Sequence, residues 1–323
     1  MSRGAALAGA LLTTLATPAT WPLALAVFLL RGGLLLVALP IVVLPSPVGL
    51  GNLLAPTLMT VVFRGMSAEV AAFVGAAVLA ILAWVIVGGL AAATLEAEAA
   101  VIVARGEEQT EVPTGSSFED PGVEDRHRRV ASRILAARLA AHLPTGLAMI
   151  WGAARLTAVA YRELTSPFDV TTPIVLRVLR GAPEVIAAIV LLWMIGEIIG
   201  GLAARRIALG GARVGGALRD AVLTLTRRPV TVLIAYWVPT AGLVLVLLPS
   251  TLAAAAAWAQ VRAAMRSSDD PFGATLSVVL FVSLWLTGLL LIAVTAAWRS
   301  AVWSVAHGEF WVRRAGSAGI EPG

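Results

Sequence analysis

The 323-residue chain contains no cysteine and no lysine; all 24 of its basic residues are arginine. The first absence excludes a disulfide framework and any thiolate metal site. The second excludes a Schiff-base lysine and the lysine-dependent phosphate loop of nucleotide-binding enzymes. Histidine is scarce, with only His127, His142 and His307, and none has a partner at metal-ligand spacing. Charged residues make up 13% of the chain, against 59% hydrophobic residues and a mean hydropathy of +0.89. A soluble globule carries about 25% charged residues, so this composition requires lipid as solvent. The basic pI reflects arginines scattered between apolar runs, where they set topology and do not form a nucleic-acid patch.

A membrane crossing takes about 20 apolar residues. Six stretches meet that length, at about 21–45, 70–95, 134–160, 184–204, 229–252 and 272–297. The fold expected is an all-α integral membrane protein with both termini on one side. Placing the termini in the cytoplasm collects fifteen arginines on that side and six outside, leaving Arg31, Arg138 and Arg155 within spans. The positive-inside bias therefore predicts a multi-pass protein of the bacterial cytoplasmic membrane with both ends inside. Residues 1–16 open with a basic residue and a short apolar stretch, as a signal peptide does, but the run is rich in Ala and Thr and leads straight into a stronger span. A surface-lying helix is the expectation there.

Internal repetition suggests how the spans are organised. Pro40, Pro144 and Pro239 fall in the first, third and fifth spans, and Pro144 and Pro239 open the related phrases PTGLAMI and PTAGLVLV. From each proline to the glycine that closes the following span (Gly106, Gly210, Gly308) the separation is 66, 66 and 69 residues. Val62-Phe-Arg-Gly-Met-Ser-Ala-Glu-Val70 also resembles Val178-Leu-Arg-Gly-Ala-Pro-Glu-Val185. These spacings predict a single membrane domain of three tandem parallel helical hairpins, at about 1–106, 124–210 and 211–310, with a 311–323 tail. Each ascending helix would be kinked at its proline, with Thr145 or Thr240 re-satisfying a freed carbonyl. The acidic, turn-rich segment within 107–129 reads as a mobile cytoplasmic loop. Residues 212–226 alternate Val214, Leu218, Val222 and Leu225 with Arg213, Arg219 and Asp220, as an interfacial amphipathic helix does.

Ionisable groups inside spans are the candidates for function. Arg31, Arg138, His142 and Glu197 are expected to meet at one depth, as a polar pocket for an anionic group or a water-lined path; Arg155 lies nearer the outer face. The structural alternative is that Arg138 and Arg155 snorkel to the surfaces, that Glu197 forms a packing ion pair, and that Arg31-Gly32-Gly33 marks a helix break. Trp84, Trp151, Trp193, Trp237 and Trp285 sit within spans and read as core, whereas Trp21, Trp258, Trp298, Trp303 and Trp311 suit interfacial belts. No metalloprotease, nucleophile-elbow or phosphate-loop motif is present.

The cytoplasmic helix ending in Arg227-Arg228-Pro229, with return spans closing in Ala104-Arg-Gly-Glu107 and Ala306-His-Gly-Glu309, resembles the membrane domain of some bacterial glycerophosphoryl diester phosphodiesterases and related bacterial membrane proteins. The likeness covers nearly the whole chain through short motifs. It implies a lipid-related role without the catalytic barrel, for which the chain has neither room nor a His/Glu/Asp cluster, so no catalytic residue carries over. The function expected is non-enzymatic and cofactor-free: membrane or lipid organisation, or partner binding. Its partners would be membrane lipids, with a protein partner or a second copy as further possibilities and nucleic acid excluded. The alternative is a permease-like subunit for an anionic or lipid substrate.

Overall fold

In hydrocarbon every backbone N–H and C=O must find its partner within the protein, and a helix does this without help from a neighbour. The computed structural model, which describes residues 3–42, 47–108, 121–166, 171–266 and 271–307, is helical throughout, with no strand among those residues. In chain order the helices are α1 (Arg3–Ala16), α2 (Thr20–Phe28), a π-turn (Leu29–Gly33), α3 (Leu34–Ala38), α4 (Pro47–Arg64), α5 (Ala68–Glu108) and α6 (Pro121–Thr165). They continue with α7 (Ile174–Arg180), α8 (Pro183–Gly210), α9 (Val214–Arg227), α10 (Pro229–Arg266) and α11 (Pro271–His307). Six helical stretches are long and apolar enough to cross a membrane: Thr20–Ala38, Ala68–Arg105, Arg128–Thr165, Pro183–Gly210, Pro229–Arg266 and Pro271–Val305. All six correspond to the stretches expected from hydropathy, and several are much longer. The 41 residues of α5 extend for about 60 Å at 1.5 Å per residue, twice the roughly 30 Å hydrocarbon thickness.

The helices fall into two compact units. The first contains residues 1–42, 88–138 and 198–323; the second contains 43–87 and 139–197. The first unit is built on alanine. Ala10, Ala100, Ala137, Ala203, Ala217 and Ala301 are among its fully buried residues, and such small side chains let helix backbones approach closely where lipid supplies no hydrophobic drive. The α10–α11 pair is fitted by glycine. A Cβ at Gly242 would lie 3.0 Å from Trp298 Cζ3, and one at Gly288 would lie 3.0 Å from Ser250 Cβ. In the second unit, Val159, Ala182 and Val185 form a small core with Leu156, Val178 and Ile189 packed against it.

The prolines behave differently from one another. Pro144 and Pro239 lie inside the continuous helices α6 and α10. Pro40 does not kink a helix: α3 ends at Ala38, and Ile41 and Val42 both donate back to the Ala38 carbonyl in a closing turn. Lacking an N–H and with only a short stretch of helix before it, this proline stops the segment. The break within the first span lies earlier, where Arg31 (φ −88°, ψ 19°) and Gly32 (φ 101°, ψ −7°) leave helical geometry. The hydroxyls of Thr145 and Thr240 are buried without a hydrogen-bond partner among the described residues, so they do not take up the expected role at the kinks. The loop expected over 107–129 is shorter than that, because α5 continues to Glu108 and α6 begins at Pro121; residues 109–120 and the 308–323 tail lie outside the described residues.

The tryptophans exchange places. Trp84, Trp151, Trp193 and Trp237 are exposed on the protein surface. Trp303 is buried, Trp298 donates to the Leu7 carbonyl at 3.2 Å, and Trp258 packs on Phe281 with ring centroids 5.1 Å apart. Of the five assigned to the core, Trp285 packs against two apolar clusters, and Trp237 meets the Tyr236 ring edge-on at 5.7 Å.

Only glycine adopts φ near +100° without strain. Gly32→Ala is therefore expected to destabilise the protein by about 1–2 kcal/mol, read as a lower thermal midpoint in detergent. Gly75→Ala, in mid-helix with open space around it, should leave the midpoint unchanged or slightly raised.

Candidate functional site

Three arginine side chains of the first unit converge on one carboxylate. Glu96, on α5 between the buried Ala92, Ala93, Ala97 and Ala99, is 5% exposed. Arg138 of α6 grips it with a two-pronged fork, Nε donating to Oε2 at 3.0 Å and Nη2 to Oε1 at 2.7 Å. Arg31, at the break in the first span, donates Nη2 to Oε2. Arg205 of α8, 2% exposed, donates Nη1 to Oε1 at 3.3 Å and turns Nη2 toward α11, where it meets Ser300 Oγ at 2.7 Å and the Ser300 carbonyl at 3.3 Å. Five of the six spans thus contribute to one hydrogen-bonded knot. The sixth, α10, is joined to α11 close by, where Arg299 sits 5.6 Å from the centroid of the buried Tyr236 ring.

Local sequence explains why long cationic side chains fit inside a helical bundle. Arg138 and Arg205 follow alanine, Ala137 before Arg138 and Ala203 and Ala204 before Arg205, and Ala301 follows Ser300, the partner of Arg205, all four alanines being fully buried; Arg31 is followed by Gly32 instead. Helices faced with methyl groups leave room between them for guanidinium groups. Electrostatically, Glu96 attracts Arg205 while Arg138 and Arg31 repel it, so the carboxylate is what allows three cations to share the space. Arg205 Nε remains buried without a hydrogen-bond partner among the described residues.

Of the four residues expected to meet, the structure places Arg31 and Arg138 on Glu96, and His142 on Glu197. In the second unit His142 Nε2 lies 3.4 Å from Glu197 Oε1. Gly196 makes that approach possible, because a Cβ there would lie 3.0 Å from both the Ala141 carbonyl and His142 Cδ2. Arg155, near the C-terminal end of its helix, does not stand alone but pairs with Glu184 at 3.0 Å, both side chains being exposed. Glu96 and Arg205 were missed by sequence reasoning, Glu96 because its helix was expected to end at residue 95, Arg205 because Arg205-Arg206 reads as a topogenic pair. The alanine-rich setting of Glu96 and Arg205 was the signal that marks them, since a charge among methyl groups on a helix face is destined for a close interface. Among the described residues no group of three His, Asp or Glu side chains comes together that could hold a metal ion.

Removing the carboxylate leaves three neighbouring cations without the group they share. Glu96→Ala is expected to cost about 3–5 kcal/mol, measured as loss of folded protein or of thermal midpoint. Arg155→Ala, at the exposed pair, should cost less than about 1 kcal/mol; equal effects would remove the distinction drawn between the two sites.

No family model, curated protein or solved structure matches the chain.

Proposed function

We propose that the protein is a non-enzymatic membrane scaffold that organises surrounding lipid or seats a partner, and that the Glu96 knot holds its helices in place for that task. One observation supports this above others: the most deeply buried charges, Glu96 and Arg205, are spent on each other and on Ser300 across three helices, as in a clamp. Along α11 every large apolar residue that is exposed falls between Phe272 and Leu291, and no residue from Ile292 to Val305 is exposed. That 20-residue stretch measures about 30 Å, the hydrocarbon thickness, and it offers lipid a long contact face.

In this reading the chain is three parallel hairpins in a bacterial cytoplasmic membrane, with both termini inside and α9 at the interface. The arginine excess on one side supports that orientation. The likeness to phosphodiesterase membrane domains supports lipid as the partner. The permease alternative has one feature in its favour, since Arg31 is 26% exposed beside a broken helix and broken helices accompany binding sites in transporters.

Reconstitution in vesicles of phosphatidylcholine and phosphatidylglycerol separates the two. The scaffold is expected to show a motionally restricted fraction of spin-labelled phosphatidylglycerol, with no anion flux above empty vesicles. Flux that is abolished by Arg138→Ala would establish the permease instead.

A further inference from the structure

The Glu96 knot lies at a particular depth. Glu98, two residues beyond Glu96, is exposed, as is Arg133, just over one helical turn before Arg138. Arg206, next to Arg205, pairs with Asp220 of α9 at 3.2 Å, with both side chains about one-third exposed. These exposed or partly exposed charges within five residues of Glu96, Arg138 and Arg205 place the knot at the edge of the apolar layer, the level of lipid phosphates, and not at the bilayer midplane. On the first span the exposed apolar residues Leu34, Leu35 and Leu36 begin just after Arg31. Arg31 is therefore the rim of the knot, 26% exposed where Arg138 is 12% and Arg205 2%.

From these observations we infer that Arg31, Arg138 and Arg205 form a binding site for a phosphate-bearing anion at the membrane interface, entered past Arg31, with Glu96 as the internal carboxylate that holds the guanidinium groups in position. Planar guanidinium forks match phosphate oxygens as they match carboxylate oxygens. Three cations gathered on one carboxylate leave the cluster with a net positive charge that favours a further anion, and Arg205 Nε is buried without a partner among the described residues. The Gly32 break turns the backbone at Arg31, giving the rim side chain a position that a straight helix would not. The site deepens the scaffold reading and rests on it, by naming the headgroup chemistry that the scaffold holds.

The test is thermal stabilisation of the full-length protein in phosphatidylcholine vesicles with and without phosphatidylglycerol, comparing wild type, Arg31→Ala and Arg219→Ala. Arg219 is an exposed arginine of α9 outside the knot. Phosphatidylglycerol is expected to raise the wild-type midpoint, with half-saturation shifted about tenfold higher in Arg31→Ala, the loss of one charge-assisted contact, and unchanged in Arg219→Ala. Inorganic phosphate added to pure phosphatidylcholine vesicles identifies the source: an equal, Arg31-dependent stabilisation assigns a free anion, and none assigns the lipid headgroup. Because each variant is compared with itself in the two lipids, a lower basal midpoint in Arg31→Ala does not obscure the result; Arg31→Lys should restore part of the shift. Equal stabilisation of wild type and Arg31→Ala, or equal loss in Arg219→Ala, would overturn the site. Anion flux, by contrast, would overturn the scaffold and leave an anion site standing.

Discussion

One buried carboxylate governs the first unit. Taking a glutamate and three arginines out of water costs several kcal/mol per ion, and the expense is met only where geometry is good and hydrogen bonds are made. Glu96 meets that condition, since both oxygens accept from more than one guanidinium and Arg205 passes the link on to Ser300. Without the carboxylate the three cations would repel one another across a space walled by alanine. The alanine contacts of this unit are apolar and carry no directional bonds of their own. The knot supplies what such packing lacks, a fixed register between helices.

The register depends in turn on two features of the backbone. Glycine at position 32 lets the first span stop and restart, with a positive φ that a side chain would strain. Alanine flanking Arg138 and Arg205 lets α6 and α8 come close enough to α5 for guanidinium groups to reach it. Structure and proposed role thus meet at one place. In the proposed role, a cluster that fixes the helices and opens at a single arginine would hold an anion at the interface.

The helical class and the six spans were legible because both follow from the length of apolar runs, which lipid imposes on sequence directly. The partners within the bundle were less so. Hydropathy averages over a window, so it cut the second span before Glu96 and hid a charge that helix continuation to Glu108 carries into the core. Positive-inside counting treated Arg205 and Arg206 alike, although one is buried and the other is on the surface; only the helical angle between adjacent residues separates them. Pro40 read as a kink because its spacing matches Pro144 and Pro239, yet it lies where the first span already ends. Tryptophan placement failed for a related reason: distance from the end of an apolar run gives depth and says nothing about which side of the helix faces lipid.

The central claim is that Glu96 and the arginines act as one coupled unit. A double-mutant cycle with Glu96→Gln, Arg205→Met and the pair, followed by reversible unfolding in detergent, measures that coupling directly. Groups in one hydrogen-bonded ionic network couple by about 0.5–3 kcal/mol, and the account predicts the upper half of that range, with the double variant more stable than the sum of the single losses implies. Additivity within about 0.5 kcal/mol would contradict it, showing that the two residues stabilise the fold independently.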